Sequence, residues 1–180
     1  MVTVSGPHGT GKSTYARALA EAFRLRYVSA GQLFRDLAKE RGLSLEAFSQ
    51  MAAEDPAIDQ VIDERTKAEG EKGNVVIDAQ LGAWMVKELA SVKVLIVASD
   101  EVRFRRIAQR DRISVEDARK LTLAREAIQR ERYKKYYGID VTDLSIYDVK
   151  VDTDLYAIKK AKTIVIESVG SFLGRRQVDR

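Results

Sequence analysis

A three-layer α/β fold, a five-stranded parallel sheet flanked by helices, is what this sequence predicts. Three observations point to it. Short apolar runs suited to buried strands alternate with longer stretches of helical periodicity, the pattern of βαβ units. A glycine-rich turn joins the first apolar run to the first helical pattern. The chain has 180 residues, 45% hydrophobic and 32% charged, enough for one domain with a substantial core.

The elements follow in order. Residues 2–4 are β-favouring and open the sheet. GPHGTGKST, residues 6–14, comes next. Gly6, Gly9 and Gly11 cost backbone entropy, and Gly6-x-x-x-x-Gly11-Lys12-Ser13 fits the phosphate-binding loop pattern. A backbone free of side chains at these positions curls around a phosphate and aims successive N–H groups inward. The helix over 13–23 adds the positive end of its dipole. Lys12 reaches the β- and γ-phosphates, and Ser13 places a hydroxyl on Mg²⁺. Pro7, His8, Thr10 and Thr14 complete the nucleotide-binding stretch, with His8 tolerated there rather than catalytic. Strand before and amphipathic helix after make this a P-loop NTPase fold that binds a nucleoside triphosphate. The motif does not say where the γ-phosphate goes.

The second strand is 27–28. Helices follow over 31–41, 44–53 and 56–72, with Ser44 as a cap and Pro56 in a first turn after Asp55. The third strand, 75–77, ends at Asp78. That acid either holds water on Mg²⁺, as in many P-loop enzymes, or merely terminates the strand. A helix over 82–89 leads to the fourth strand, 92–98. Helices over 101–109 and 114–137 come next, the second opened by a Ser114–Asp117 capping box. Residues 148–152 alternate like an edge strand, and a helix over 155–172 closes the fold. Two helical insertions stand out: 30–71 between the second and third strands, and 101–137 between the fourth and fifth. In a phosphoryl-transfer enzyme such insertions hold an acceptor and close over the donor, excluding water.

Charge is unevenly placed. Residues 100–138 hold 12 Lys/Arg against 7 Asp/Glu, while the remaining 19 and 20 nearly cancel, within a net charge of +4. A basic cluster means a solvated face or an anionic partner, and the phosphates at the loop are a candidate. There is no cysteine, which excludes disulfides, thiolate metal sites and thiol nucleophiles. No apolar run approaches the roughly 18–20 residues needed to cross a bilayer, and no secretory signal is visible. The expectations are a cytoplasmic protein with no membrane partner and no nucleic-acid partner. A monomer is expected because no spare apolar face is evident.

The layout resembles the nucleoside monophosphate kinases. GPHGTGKST is the donor loop. VSAGQLFRDLA, residues 28–38, looks like the stretch that binds the acceptor nucleotide, and RFRRIAQRD, residues 103–111, looks like the lid. YYGIDVTDLSIYDVKVDT, residues 136–153, is particularly similar to the archaeal type of cytidylate kinase. The likeness spans about 2–165 and implies transfer of the γ-phosphate of ATP, with Mg²⁺, to CMP or dCMP. It implies that Ser29 contacts the acceptor and that Arg35 holds its phosphate through a paired guanidinium contact. Arg106 and Arg110 reach the transferred group from the lid. Arg125 and Arg132, on one helical face, contact acceptor phosphate and transition state. No side-chain nucleophile is required, because the acceptor phosphate is one and charge neutralisation is the main task. Taken alone, each arginine reads as a wet helix residue, and Arg103, Arg105, Arg112, Arg119 and Arg130 are expected to be surface residues. Trp84 and Met85 read as packing, and Tyr136 and Tyr137 as core and rim.

Two positions depart from the family. Cytidylate kinases generally carry an acid, a glycine and an arginine after the third strand, where this chain has Asp78-Ala79-Gln80. They tend to carry an acid between the two late arginines, where this chain has Gln129. Gln80 and Gln129 are expected to replace a charged pair near the acceptor. Asp55, Asp59 and Asp63, spaced by four, bind base or ribose (Asp59 being the substrate-binding candidate) or else form one solvated face. Rival readings are a kinase for another small acceptor (AMP, UMP or shikimate-like) and a P-loop ATPase switch that binds RNA or protein. A GTPase is weakened by the lack of an NKxD pattern.

Overall fold

In the computed structural model, which describes residues 1–178, five strands pair in parallel. They are β1 (Val2–Ser5), β2 (Arg26–Ser29), β3 (Val75–Asp78), β4 (Val92–Val97) and β5 (Val149–Asp152). Their spatial order is β2-β3-β1-β4-β5, so the predicted edge strand β5 does lie at an edge. The chain crosses from β1 out to β2, then returns from β3 past β1 to β4. The carboxyl ends of β1 and β3 therefore flank the point where the winding reverses, where α/β sheets place their ligands. Register brings Asp78 beside Val4 on one side and beside Ser29 on the other.

Among the described residues eight helices accompany the sheet: α1 (Lys12–Ala22), α2 (Ala30–Glu40), α3 (Leu45–Glu54), α4 (Pro56–Glu71), α5 (Gly82–Met85), α6 (Asp100–Asp111), α7 (Val115–Tyr137) and α8 (Ile158–Val178). One face of the sheet packs Val2, Val94 and Ile96 against Leu19 of α1 and Val165 of α8. The other packs Val75 and Ile77 against Val86, just beyond α5. Fully burying a side chain such as Leu19 contributes about 1.5–3 kcal/mol. A separate apolar cluster of Phe34, Phe48, Ile58 and Ile62 ties α2, α3 and α4 into one unit.

The caps read from the sequence form. Ser44 accepts from the Ala47 amide, and Asp55 accepts from Ala57 with Pro56 at the first helical position. Ser114 accepts from the Asp117 amide at 3.0 Å and donates to its carboxylate at 2.6 Å. Two helix boundaries need correction. The helix expected over 82–89 stops at Met85, with Val86 at φ −120°. The last helix begins at Ile158 rather than 155 and runs on to Val178. Trp84 packs edge-on to Tyr147, as a packing residue should.

Candidate active site

The phosphate loop is shaped by what presses on it. Gly6 (φ 144°) and Gly9 (φ 79°) hold backbone angles that disfavour side chains, and neither has room for one. A Cβ at Gly6 would lie 2.1 Å from the Ile96 carbonyl oxygen, and one at Gly9 2.7 Å from that of Arg103. The loop is thus squeezed between β4 and α6. Thr10 Oγ1 and Lys12 Nζ both donate to the Pro7 carbonyl, at 2.9 and 3.1 Å, closing the curl. Gly11 starts α1 with no side-chain cap, and Thr14 N–H turns back to the Gly11 carbonyl at 2.9 Å, so the Lys12 and Ser13 N–H groups remain for an anion. Burial lowers the pKa of Lys12, with Arg125 and Arg103 acting the same way and Asp78 and Glu126 opposing.

The far wall of the loop is Asp78, only 4% exposed. Its Oδ2 accepts from Ser13 Oγ at 2.6 Å, Tyr27 OH at 2.8 Å and Ser29 Oγ at 3.4 Å. Ser29 also caps α2 through the Gln32 amide. An all-oxygen set of this kind suits a hard divalent cation that keeps part of its water shell. Among the described residues no group of three His, Asp or Glu could hold a metal unaided. Phosphate oxygens and water would complete the shell.

In front of loop and acid lies a cleft of about 940 Å³, near the upper end for small-molecule sites. His8, Gly9, Gly11, Lys12, Ser13 and Thr14 line it, and Gly6, Pro7 and Thr10 do not. Ser29, Arg35, Asp59, Asp78, Gln80, Arg106, Arg110, Arg125, Gln129 and Arg132 line it too. The arginines are not equivalent. Arg125 is half-buried and its Nε is without a partner. Among the described residues no carboxylate lies within ion-pairing distance of Arg125 or of Arg35, which contacts Gln32 Oε1 at 2.9 Å. Burial lowers the pKa of Arg125, and the charges of Arg35, Arg110 and Arg132 push the same way. Such a group is a cation waiting for an anion. Arg132 is 4% exposed, with Nε 2.8 Å from Asp59 Oδ2, an ion contact too oblique to be a hydrogen bond. Its Nε and Nη1 keep their donor capacity. Arg110 is gripped by Asp111 through two contacts of 2.7 and 2.8 Å. Arg106 is docked on the Thr10 and Thr153 carbonyls and the Thr153 hydroxyl.

Arg103 contradicts its expected place on the surface. It is 3% exposed, because its guanidinium turns inward to Glu126, to the His8 carbonyl and to Asp100. Arg105, Arg112, Arg119 and Arg130 are exposed, as expected. The solvated-face reading of the three α4 acids also fails. Asp55 caps the helix, but Asp59 and Asp63 turn into the cleft because their face of α4 packs toward α7. Tyr137 OH donates to Asp63, and burial raises that carboxyl to about 6. Tyr137 therefore reaches the site only through Asp63, which lines the cleft.

Neither glutamine stands alone. Gln129 Oε1 lies 2.7 Å from His8 Nε2, which places the imidazole proton on Nε2. Burial first, then the Lys12 and Arg125 charges, push His8 down to about 3, so the ring is neutral. Gln80 Oε1 sits 3.5 Å from the hydroxyl of Tyr133, a buried phenol raised to about 12.

Residues 2–134 match the family described as an AAA domain. A gluconokinase from Sinorhizobium meliloti superposes with TM-score 0.66 at 14% identity, covering 99% of this chain and 95% of that one, a likeness of fold alone. A cytidylate kinase from Staphylothermus marinus is 47% identical over 173 residues, 96% of this chain and 98% of that protein. Another from Aeropyrum pernix is 48% identical over 164 residues, 91% and 95% of the two chains. The chain belongs to the cytidylate kinase family.

Within that cytidylate kinase framework, sequence reading missed Arg103, Glu126, Tyr27 and Tyr133. Arg103 sits in an arginine-rich run whose members look alike along the chain. Only the positions of Gly9 and Glu126 tell it apart. Among the described residues no helix is long and apolar enough to cross a membrane.

Proposed function

We propose that this chain transfers the γ-phosphoryl group of ATP to CMP or dCMP, giving CDP or dCDP and ADP. The observation that carries the reading is Arg125: a half-buried cation without a carboxylate partner, facing the phosphate loop across one cleft with Arg35 and Arg132 nearby. A cation is retained in such a place when a ligand neutralises it.

The roles follow from position. The amides of residues 9–13 and the Lys12 ammonium receive the nucleotide tail, with Thr14 lining the cleft beside them. Ser13 and Asp78 are the protein groups that would hold Mg²⁺, which when bound offsets negative charge on the β- and γ-phosphates. Arg35, Arg125 and Arg132 hold the acceptor phosphate, whose oxygen attacks the γ-phosphorus as the bond to the β–γ bridging oxygen breaks. Arg106 and Arg110 stand at the loop side, Arg106 already docked on Thr10. Closing the cleft excludes water as a competing acceptor. Ser29, Asp59 and Gln80 border the acceptor end and shape the choice of base, while Gln129 is held by His8 of the donor loop.

ADP formation measured with CMP, dCMP, UMP, AMP, shikimate and no acceptor tests this. Strong stimulation by CMP or dCMP is expected. The same rate with no acceptor overturns the reading in favour of an ATPase, and stimulation by AMP or shikimate alone overturns the assignment of acceptor. A Gln80→Ala variant whose preference for CMP over UMP is unchanged would remove Gln80 from base reading.

A further inference from the structure

The donor loop and the acceptor arginines come from distant parts of the chain, and the structure ties them together at two places. Glu126 lies on α7 immediately after Arg125. Its Oε1 accepts from the His8 amide at 3.0 Å and from Arg103 Nη1 at 2.6 Å, and Oε2 accepts from Arg103 Nη2 at 3.2 Å. The same Arg103 Nη1 donates to the His8 carbonyl at 2.9 Å. Both backbone groups of His8 are thus held by one ion pair, whose arginine is 3% exposed. The second tie is His8 Nε2 to Gln129 Oε1 at 2.7 Å.

On α7 the residues at 125, 126, 129 and 132 fall within roughly a third of the helical circumference. Two of them, Arg125 and Arg132, face the anion site. The other two, Glu126 and Gln129, hold the loop. We infer that Glu126, with Arg103, and the His8–Gln129 contact act as positioning residues that set the separation and angle between the ATP-binding loop and the acceptor arginines. This inference rests on the kinase reading above.

The physical consequence is specific. In-line phosphoryl transfer needs donor and acceptor oxygens within near-contact distance, and a misplacement of about 1 Å costs on the order of 100-fold. ATP keeps its own loop contacts and CMP its own arginines if the ties are cut. What changes is their mutual alignment, so kcat falls while the separate affinities persist.

The test uses the intact enzyme. Glu126→Ala, Glu126→Gln, Gln129→Ala and His8→Ala are assayed for kcat, and for dissociation constants of ATP alone and CMP alone. Melting curves place every assay well below unfolding. Glu126→Ala is expected to lose on the order of 10- to 100-fold in kcat, with each dissociation constant within about threefold. Glu126→Gln keeps an acceptor for the His8 amide and should recover part of that loss. His8→Ala and Gln129→Ala should each lose kcat, and the double variant should lose no more than either, as partners in one contact do. If Glu126→Ala does not fold, the His8 and Gln129 cycle carries the test. The inference is overturned if kcat stays within about twofold throughout, or if affinity for ATP alone falls by the same factor as kcat. A wild-type protein without CMP-dependent turnover would instead overturn the kinase reading itself.

Discussion

Ser13 Oγ donates to Asp78 Oδ2 at 2.6 Å, joining the start of α1 to the end of β3 across 65 residues of sequence. This contact closes the candidate metal site, since two more hydroxyls, Tyr27 and Ser29, orient the same carboxylate oxygen. Asp78→Asn keeps the shape and removes the charge. It should weaken the apparent affinity for Mg²⁺ by on the order of 10- to 100-fold, read from the Mg²⁺ dependence of ADP formation. An unchanged Mg²⁺ titration curve would take Asp78 out of the metal site.

Arg125 and Arg132 should separate stability from activity. Arg132 neutralises buried Asp59, so Arg132→Met leaves a carboxylate uncompensated and should cost about 3–5 kcal/mol of stability. Arg125 forms no ion pair among the described residues, so Arg125→Met should leave the melting temperature unchanged or raised while turnover with CMP falls on the order of 100-fold or more. Thermal melts beside steady-state kinetics decide the point. A large drop in melting temperature for Arg125→Met would mean the cation has a structural partner.

Gly9→Ala places a Cβ 2.7 Å from the Arg103 carbonyl oxygen at a φ of 79°. The loop must shift to relieve this, and ATP affinity should fall together with about 1–3 kcal/mol of stability. Gly73→Ala, at φ 69° with open space around it, serves as the control and should cost about 1–2 kcal/mol with ATP affinity intact. Equal ATP affinity in both variants would show that the loop tolerates the displacement.

Asp63 supplies a pH dependence. Burial raises its carboxyl from 3.8 to about 6, against the opposing Tyr137 hydrogen bond. Between those values the folded state binds more protons than the unfolded one, so the contribution of Asp63 to stability falls as pH rises from about 4 to about 6 and stays low above that. Asp63→Asn removes the penalty. Its melting temperature, relative to wild type, should be higher at pH 8 than at pH 4. The same difference at both pH values would refute an elevated Asp63.

Legibility in the sequence followed the range of the interactions involved. Gly6, Gly11, Lys12 and Ser13 announce their role because a phosphate cradle is built from consecutive backbone. The caps at Ser44, Asp55 and Ser114 act within a helical turn and were readable for the same reason. The α4 acids remained ambiguous, since a spacing of four puts them on one face without saying what that face meets. Arg103 was misread because its fate depends on His8 and Glu126, which lie 95 residues before it and 23 after.

By itself the sequence determined the order of strands and helices, the donor loop and the set of cations from which a phosphate site could be built, since periodicity and motif spacing are local properties. Tertiary structure alone decided what each cation does. Arg103 became a brace, Arg132 a partner of Asp59, Arg110 a partner of its neighbour, and Arg125 a charge left for a ligand. The reason is electrostatic: the guanidinium carries the same charge everywhere, and only the groups packed against it determine whether that charge is already neutralised.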